Sequence, residues 1–218
     1  MAVTILGGRA AAFSINLPAQ VNFRPTSVML RRKLFDAHQT WPGERFFDVC
    51  AGSGAVGMEA WSRGAESFFG EIHGRTLKLL ATNLNKFMQR LATDGEGEDN
   101  FADSYLASHL INNQHREDFG LAIVAAQGQK NCAPLTIFFD PPYEELATLL
   151  PSFWAQVKKY HWQELWIESD RQKGLLEKEI LQLVGQNGAA AQIKTVAAGT
   201  NFVVKVRANS HNADALKA

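Results

Sequence analysis

The chain has 218 residues, 46% hydrophobic and 20% charged, with 22 basic and 22 acidic side chains and a formal net charge of zero. That profile is ordinary for a soluble globular protein and fits one α/β domain with a sizeable core and a small extension. No apolar run reaches the ~18 residues of a membrane span, Arg9 cuts the apolar N-terminus so that no secretory leader is expected, and Cys50 and Cys132 read as free, buried thiols of a cytoplasmic protein.

Residues 2–23 alternate short apolar runs with glycines and predict a β-hairpin, so 1–23 form an extension, 24–208 the main domain and 209–218 a frayed tail. "RPTSVMLRRKLFDAH" (24–38) follows as a helix capped by Thr26 or Ser27, with Val28, Leu30, Leu34 and Phe35 as apolar positions. "WPGE" (41–44) breaks it. From there strand and helix alternate. "RFFDVC" is a strand, "AVGMEAWSRG" a helix stopped by Gly64, and "ESFFGEI" a second strand. "RTLKLLATNLNKFMQRL" is an amphipathic helix with Leu77, Leu80, Leu84 and Phe87 on one face. "NFADS" (100–104) reads as a short third strand with a helix starting near Ser104, while the Gln/Asn-rich stretch 112–134 has no assignable pattern. "LTIFFD" (135–140) is the continuous apolar run of a buried parallel strand. A helix from about 144 to 160, a fifth strand "ELWIES", a helix "LLEKEILQLVG" and two strands around Gly199-Thr200 complete the chain. Such alternation predicts a mostly parallel sheet covered on both faces. The closing hairpin predicts an inserted antiparallel strand, where dinucleotide-binding sheets end in a parallel one.

The bend after the first strand of the main domain, "DVCAGSGAVG", fits G-x-G-x-x-G at Gly52, Gly54 and Gly57, and Glu71 follows nineteen residues after Gly52. Glycines there let the backbone approach a ligand and turn into a helix whose amides face it. That suits the pyrophosphate of a nicotinamide cofactor. It suits equally the carboxylate and ribose of S-adenosylmethionine, which has no phosphate. Asp48 tips the balance towards the second, because a carboxylate repels a pyrophosphate but accepts from an ammonium. Glu71 fits a ribose diol under either reading. Asp103 is placed to accept from an adenine amino group or to cap the helix at Ser104.

"TIFFDPPYEE" (136–145) separates these readings. A buried strand delivers Asp140 to its C-terminal end, where open α/β sheets bind ligands. Pro141 and Pro142 have no N–H and fixed φ, so a stiff turn with outward carbonyls follows. The Asp140 carboxylate and a carbonyl near Pro141 are two acceptors for the two hydrogens of a planar amine. Holding both orients the amine and favours pyramidalisation, freeing the lone pair for attack on a sulfonium methyl. Tyr143 is placed to stack on the ring carrying the amine. Catalysis would be positioning plus stabilisation of charge growing on nitrogen. A hydride-transfer enzyme has no use for this turn.

On these residues the chain resembles the S-adenosylmethionine-dependent amino-methyltransferases with a D-P-P-Y motif, and more closely the RsmD-type 16S rRNA (guanine-N2) methyltransferases. "RPTSVMLRRKLFDAH", "DVCAGSGAVGMEAWSRGAE" and "FFDPPYEE" carry the resemblance, which spans roughly residues 3–206. It implies a Rossmann-like seven-stranded sheet, mostly parallel with an antiparallel C-terminal strand and helices on both faces. It implies cofactor contacts at Asp48, Ala51, Gly52, Ser53, Gly54, Glu71, Asp103 and Ser104, with the Thr26 region closing over the methionine end. Asp140, Pro141, Pro142 and Tyr143 would hold the target amine. Arg9, Arg24, Arg31 and Arg32 would face RNA, or some of them would brace the cofactor pocket. The implied partner is rRNA or a small ribosomal subunit particle, with no metal and no membrane. The D-P-P-Y turn does not by itself choose guanine N2 over adenine N6, and a catalytically silent relative stays open. The chain also departs from the family: "GGRAAAFSINL" keeps only Arg9 as a basic residue, and "AAGTNF" replaces a polar turn between the last two strands. Zero net charge argues against tight non-specific binding of nucleic acid.

Overall fold

The computed structural model describes residues 2–17, 24–92, 109–112, 119, 123, 134–185 and 190–208. Its strands are β1 (Ala2–Thr4), β2 (Ser14–Asn16), β3 (Arg45–Asp48), β4 (Glu66–Glu71), β5 (Leu110–Asn112), β6 (Leu135–Phe139), β7 (Glu164–Asp170), β8 (Ala190–Ala198) and β9 (Asn201–Ala208). Its helices are α1 (Val28–Asp36), α2 (Ala55–Ser62), α3 (Gly74–Ala92), α4 (Tyr143–Val157) and α5 (Glu177–Gly185). β1 and β2 pair antiparallel as a small separate sheet. The other strands form one seven-stranded sheet in the order β5-β4-β3-β6-β7-β9-β8. β3 to β7 run parallel, and β9 enters antiparallel between β7 and β8. This is the Rossmann-like methyltransferase sheet, with the inserted antiparallel strand that the closing hairpin predicted.

The strand that pairs outside β4 lies at Leu110–Asn112; "NFADS" (100–104), expected as a strand, lies outside the described residues, as do Cys132, nearly all of 113–133 and the tail. One expectation shifts. On α1 the buried stripe is Leu30, Arg31, Leu34 and Phe35, while Val28 and Met29 are 48% and 62% exposed. At ~100° per residue, Val28 sits some 200° from Leu30 and faces away from the core. The cap is Ser27, whose hydroxyl accepts from the Leu30 amide at 3.1 Å.

Alternation along β6 sorts the core. Leu135, Ile137 and Phe139 point into the layer under α4, where Phe139 stacks on Phe153 at 3.9 Å. Phe138 points the other way, to a layer with Leu30, Phe35, Trp41, Phe46 and Trp166 under α1 and α2. A period of two therefore turns residue 168 on β7, and residue 140 just past the end of β6, towards the α1 side. The hairpin is fastened to the same side: the Leu6 amide donates to Glu59 Oε2 at 2.7 Å, and Arg31 Nη1 donates to the Thr4 carbonyl at 3.1 Å. Among the described residues no helix is long and apolar enough to cross a membrane.

Candidate active site

One cavity of about 550 Å³ opens at the C-terminal ends of β3, β4, β6 and β7. Its floor is the bend between β3 and α2. Gly52 and Gly54 adopt φ +55° and +87°, the left-handed region that side chains resist. A Cβ on Gly54 would also lie 2.7 Å from Leu80 Cδ1, so α3 packs onto that glycine. The bend is pinned from both sides: the Ala51 amide donates to the Gly70 carbonyl at 2.8 Å, and the Gly52 amide to Glu71 Oε2 at 3.1 Å. Ser53 is buried, and its carbonyl accepts from Asn83 Nδ2 at 3.0 Å.

Glu71 ends β4 with its other oxygen accepting from the Ile72 and His73 amides at 2.7 and 2.8 Å. Its carboxyl is thus fixed in direction at the cavity wall. Asp48, 1% exposed, accepts from the Gly57 amide at 3.0 Å. Burial pushes its carboxyl up to about 8; the Gly57 bond opposes this, and the Asp140 and Glu71 charges add to it.

Across the cavity, Asp140 follows the last residue of β6. Thr26 Oγ1, just ahead of α1, donates to Asp140 Oδ2 at 3.2 Å. Burial raises Asp140 to about 6, against hydrogen bonds from Thr26 and Glu168 and the Arg24 charge. Pro142 caps α4, and its carbonyl accepts from the Glu145 and Leu146 amides. The expectation of outward, unpaired carbonyls is therefore corrected at Pro142, because the helix begins immediately. The Pro141 carbonyl is the neighbour left for Asp140 to work with. Tyr143 is tied down: its hydroxyl donates to Glu168 Oε1 at 3.2 Å and accepts from Arg24 Nη2 at 2.7 Å and Asn201 Nδ2 at 2.6 Å. The Arg24 guanidinium covers one face of the ring at 4.6 Å. A stacked base therefore has the opposite face, or must displace Arg24.

Glu168, Asn201 and Lys173 are site residues that the sequence reading missed. Glu168 is 1% exposed, and among the described residues its Oε2 has no hydrogen-bond partner. Burial first, then the Asp140 charge, hold its carboxyl well above the usual range. The available signal was a charged residue directly after the apolar run Leu165–Ile167, two places after Trp166 and so on the same face by alternation. Asn201 comes from the "GTN" turn. Lys173 lines the mouth with Arg24.

Of the four arginines expected to face RNA, Arg24 stands at the cavity mouth and Arg32 is exposed on α1. Arg31 does not face outward: it is fully buried, 3.5 Å from Glu59 Oε2, and braces the hairpin. Arg9 is exposed, but its backbone is fixed to the Ser62 carbonyl at the end of α2 away from the cavity. Asp103 and Ser104 lie outside the described residues. Cys50, read as a buried thiol, is half-buried in the cavity wall, and burial among carboxylates raises it far above its ordinary value.

The sequence model of a family described as Conserved hypothetical protein 95 matches residues 3–195. No curated protein matches the chain. Among solved structures, a hypothetical protein of Thermus thermophilus is 26% identical, with a TM-score of 0.62 over 94% of this chain and 99% of its own. A methyltransferase candidate of Escherichia coli, yhhF, is 23% identical, with a TM-score of 0.58 over 95% and 99%. A TehB-like SAM-dependent methyltransferase of Corynebacterium glutamicum is 9% identical, with a TM-score of 0.52 over 84% and 90%. The last two are likenesses of fold.

Proposed function

The chain belongs to the RsmD family, Conserved hypothetical protein 95, and on that premise we propose that it transfers a methyl group from S-adenosylmethionine to the exocyclic amine of a nucleobase, guanine N2 of small-subunit rRNA. The observation that carries this reading is a single cavity with the Gly52–Gly54 bend and Glu71 on one wall and the Asp140–Tyr143 turn on the other. A cofactor on the first and an amine on the second would meet without any domain movement.

The donor set fits this cofactor better than a dinucleotide. Asp48, Glu71, Asp140 and Glu168 all line the cavity. That carboxyl lining opposes a pyrophosphate, whose charge would hold the raised carboxyls protonated, and favours a cation, against which they ionise. The left-handed bend gives the close backbone approach, and Glu71 presents fixed acceptors to a diol. Asp48 would take the ammonium, with Ala51, Gly52, Ser53 and Gly54 along the methionine end and Thr26 above it. When bound, S-adenosylmethionine supplies an electrophilic methyl.

The chain's own residues orient the nucleophile. Asp140 Oδ1 and the Pro141 carbonyl accept the two amine hydrogens, while Thr26 holds Oδ2. As nitrogen gains charge its hydrogens become acidic, and the Asp140 carboxylate takes one. Tyr143, locked at its hydroxyl, offers a ring face to the base. Arg24 and Lys173 at the mouth, with exposed Arg32 on α1, would meet the flanking phosphates.

Two measurements test the reading. Calorimetry with S-adenosylhomocysteine and with NAD should show binding of the first alone; NAD binding alone refutes it. Mass mapping of rRNA from cells without the protein should show one small-subunit guanosine losing an N2 methyl. An unchanged methylation map refutes the assigned substrate.

A further inference from the structure

Glu168 has no task in methyl transfer as described, yet it is built into the site. It follows Ile167, which pairs with Phe139 across β6 and β7, so it stands beside Asp140 on the same face. One oxygen is held by the Tyr143 hydroxyl at 3.2 Å, and that hydroxyl is fixed in turn by Arg24 and Asn201. The other oxygen, Oε2, meets no donor among the described residues; the carboxyl lies against Asp140, with which it shares a hydrogen bond, in a side chain 1% exposed that lines the cavity. A buried acceptor left open is costly, and it marks the place where a donor is missing.

We infer that Glu168 reads the ring N–H next to the target amine, and thereby selects guanine. This rests on the methyl-transfer reading above. Three common bases carry an exocyclic amine. Adenine places the N1 acceptor beside N6, and cytosine places the N3 acceptor beside N4. Guanine alone places a donor, N1–H, beside its amine. Asp140 and Glu168 together offer about eight lone-pair positions. Among the described residues two donors reach them, Thr26 and the Tyr143 hydroxyl. In the empty site burial and the Asp140 charge keep a proton on Glu168; an edge that brings two donors favours its release, and the ionised carboxyl then accepts. An edge with donors side by side satisfies this pair; an edge that alternates donor and acceptor sets a lone pair against Oε2.

The test uses 2-aminopurine riboside, which keeps the 2-amino group but has an unprotonated N1. A synthetic rRNA hairpin carrying the mapped target as guanosine or as 2-aminopurine riboside is methylated with radiolabelled S-adenosylmethionine. Wild-type protein should prefer guanosine by about 10- to 100-fold in kcat/KM. Glu168→Gln replaces an acceptor by an amide that can donate to the bare N1, so the preference should fall at least about tenfold and use of 2-aminopurine should rise in absolute rate. Melting and S-adenosylhomocysteine binding check that the variant folds; if it does not, the wild-type preference decides alone. Equal use of both bases by wild type, or an unchanged ratio in a folded Glu168→Gln, overturns the inference while leaving methyl transfer standing. No methylation of any guanosine RNA or small-subunit particle overturns both.

Discussion

Glu59→Ala should be one of the most damaging single substitutions outside the cavity. Glu59 and Arg31 are both fully buried, between the hairpin, α1 and α2. Glu59 Oε2 lies 3.5 Å from Arg31 Nη1 and accepts from the Leu6 amide at 2.7 Å. Glu59 Oε1 accepts from Arg63 Nε and Nη2 at 3.0 and 2.9 Å. Arg31 is already short of acceptors, since its Nε and Nη2 are buried without partners among the described residues. Burial pushes the guanidinium below its ordinary value, and the Glu59 charge is what opposes that. Removing Glu59 leaves a buried charge uncompensated, which costs about 3–5 kcal/mol. For a chain of this size each kcal/mol lowers Tm by about 2–4 °C, so the loss is about 6–20 °C. Circular dichroism melting of Glu59→Ala, Arg31→Met and an Arg31→Met/Glu59→Leu double variant provides the assay. The double variant should recover much of what either single loses, because a buried pair replaced by apolar groups is often neutral. A Glu59→Ala loss below about 1 kcal/mol, or additive losses in the double, refutes the account of Arg31 as a buried brace.

Two further outcomes follow from the carboxylates of the cavity. Asp140→Asn should lower methyl transfer about 10²- to 10⁴-fold, and wild-type kcat should rise with pH through about 6, where burial has moved this group, to a plateau above; single-turnover rates between pH 5 and 9 check this, and a flat wild-type profile contradicts it. Asp48 has a folded-state value raised to about 8 by burial, so its contribution to stability is present in acid and is lost as pH rises through that value. Ligand-free Asp48→Asn should therefore melt above wild type at pH 8–9, lack the wild-type decline towards alkaline pH, and bind S-adenosylhomocysteine more weakly; melting curves of equal slope in the two proteins would contradict the buried charge.

Much of this was legible in the sequence because it depends on local chemistry. The glycine bend needs its residues for backbone reasons, and the proline turn after an apolar strand can point Asp140 only outward. The inserted antiparallel strand was legible from two adjacent strand patterns around Gly199. Arg31 was misread because a short basic helix face looks solvated until its partner is known, and Glu59 lies 28 positions away in another helix. Glu168 was missed for a related reason. Its role depends on β7 lying next to β6 in register, and sheet order is set by packing rather than by any short stretch. The strand at Leu110–Asn112 was not anticipated because its three residues carry little pattern, and only pairing with β4 identifies them.

The neutral net charge, which argued against tight non-specific binding of nucleic acid at the outset, acquires a different meaning once the charges are located. Four of the six carboxyls that line the cavity, Asp48, Glu71, Asp140 and Glu168, sit deep at the strand ends, while Arg24 and Lys173 stand at its mouth beside Glu144 and Glu145. A polyanion is repelled by such an interior and drawn only to its rim. On the proposed reading this separates docking from chemistry: phosphates stay outside with the cations, and an uncharged base swings inward, where the carboxyls meet its donors and the cationic cofactor. Unstacking the base then costs a few kcal/mol, which contacts at Tyr143, Asp140 and Glu168 must offset. A strongly basic surface would tighten binding everywhere along an RNA and add nothing to that exchange. Selectivity for one nucleotide is therefore expected to come from the pocket and from the shape of the particle around it, not from the overall charge of the protein.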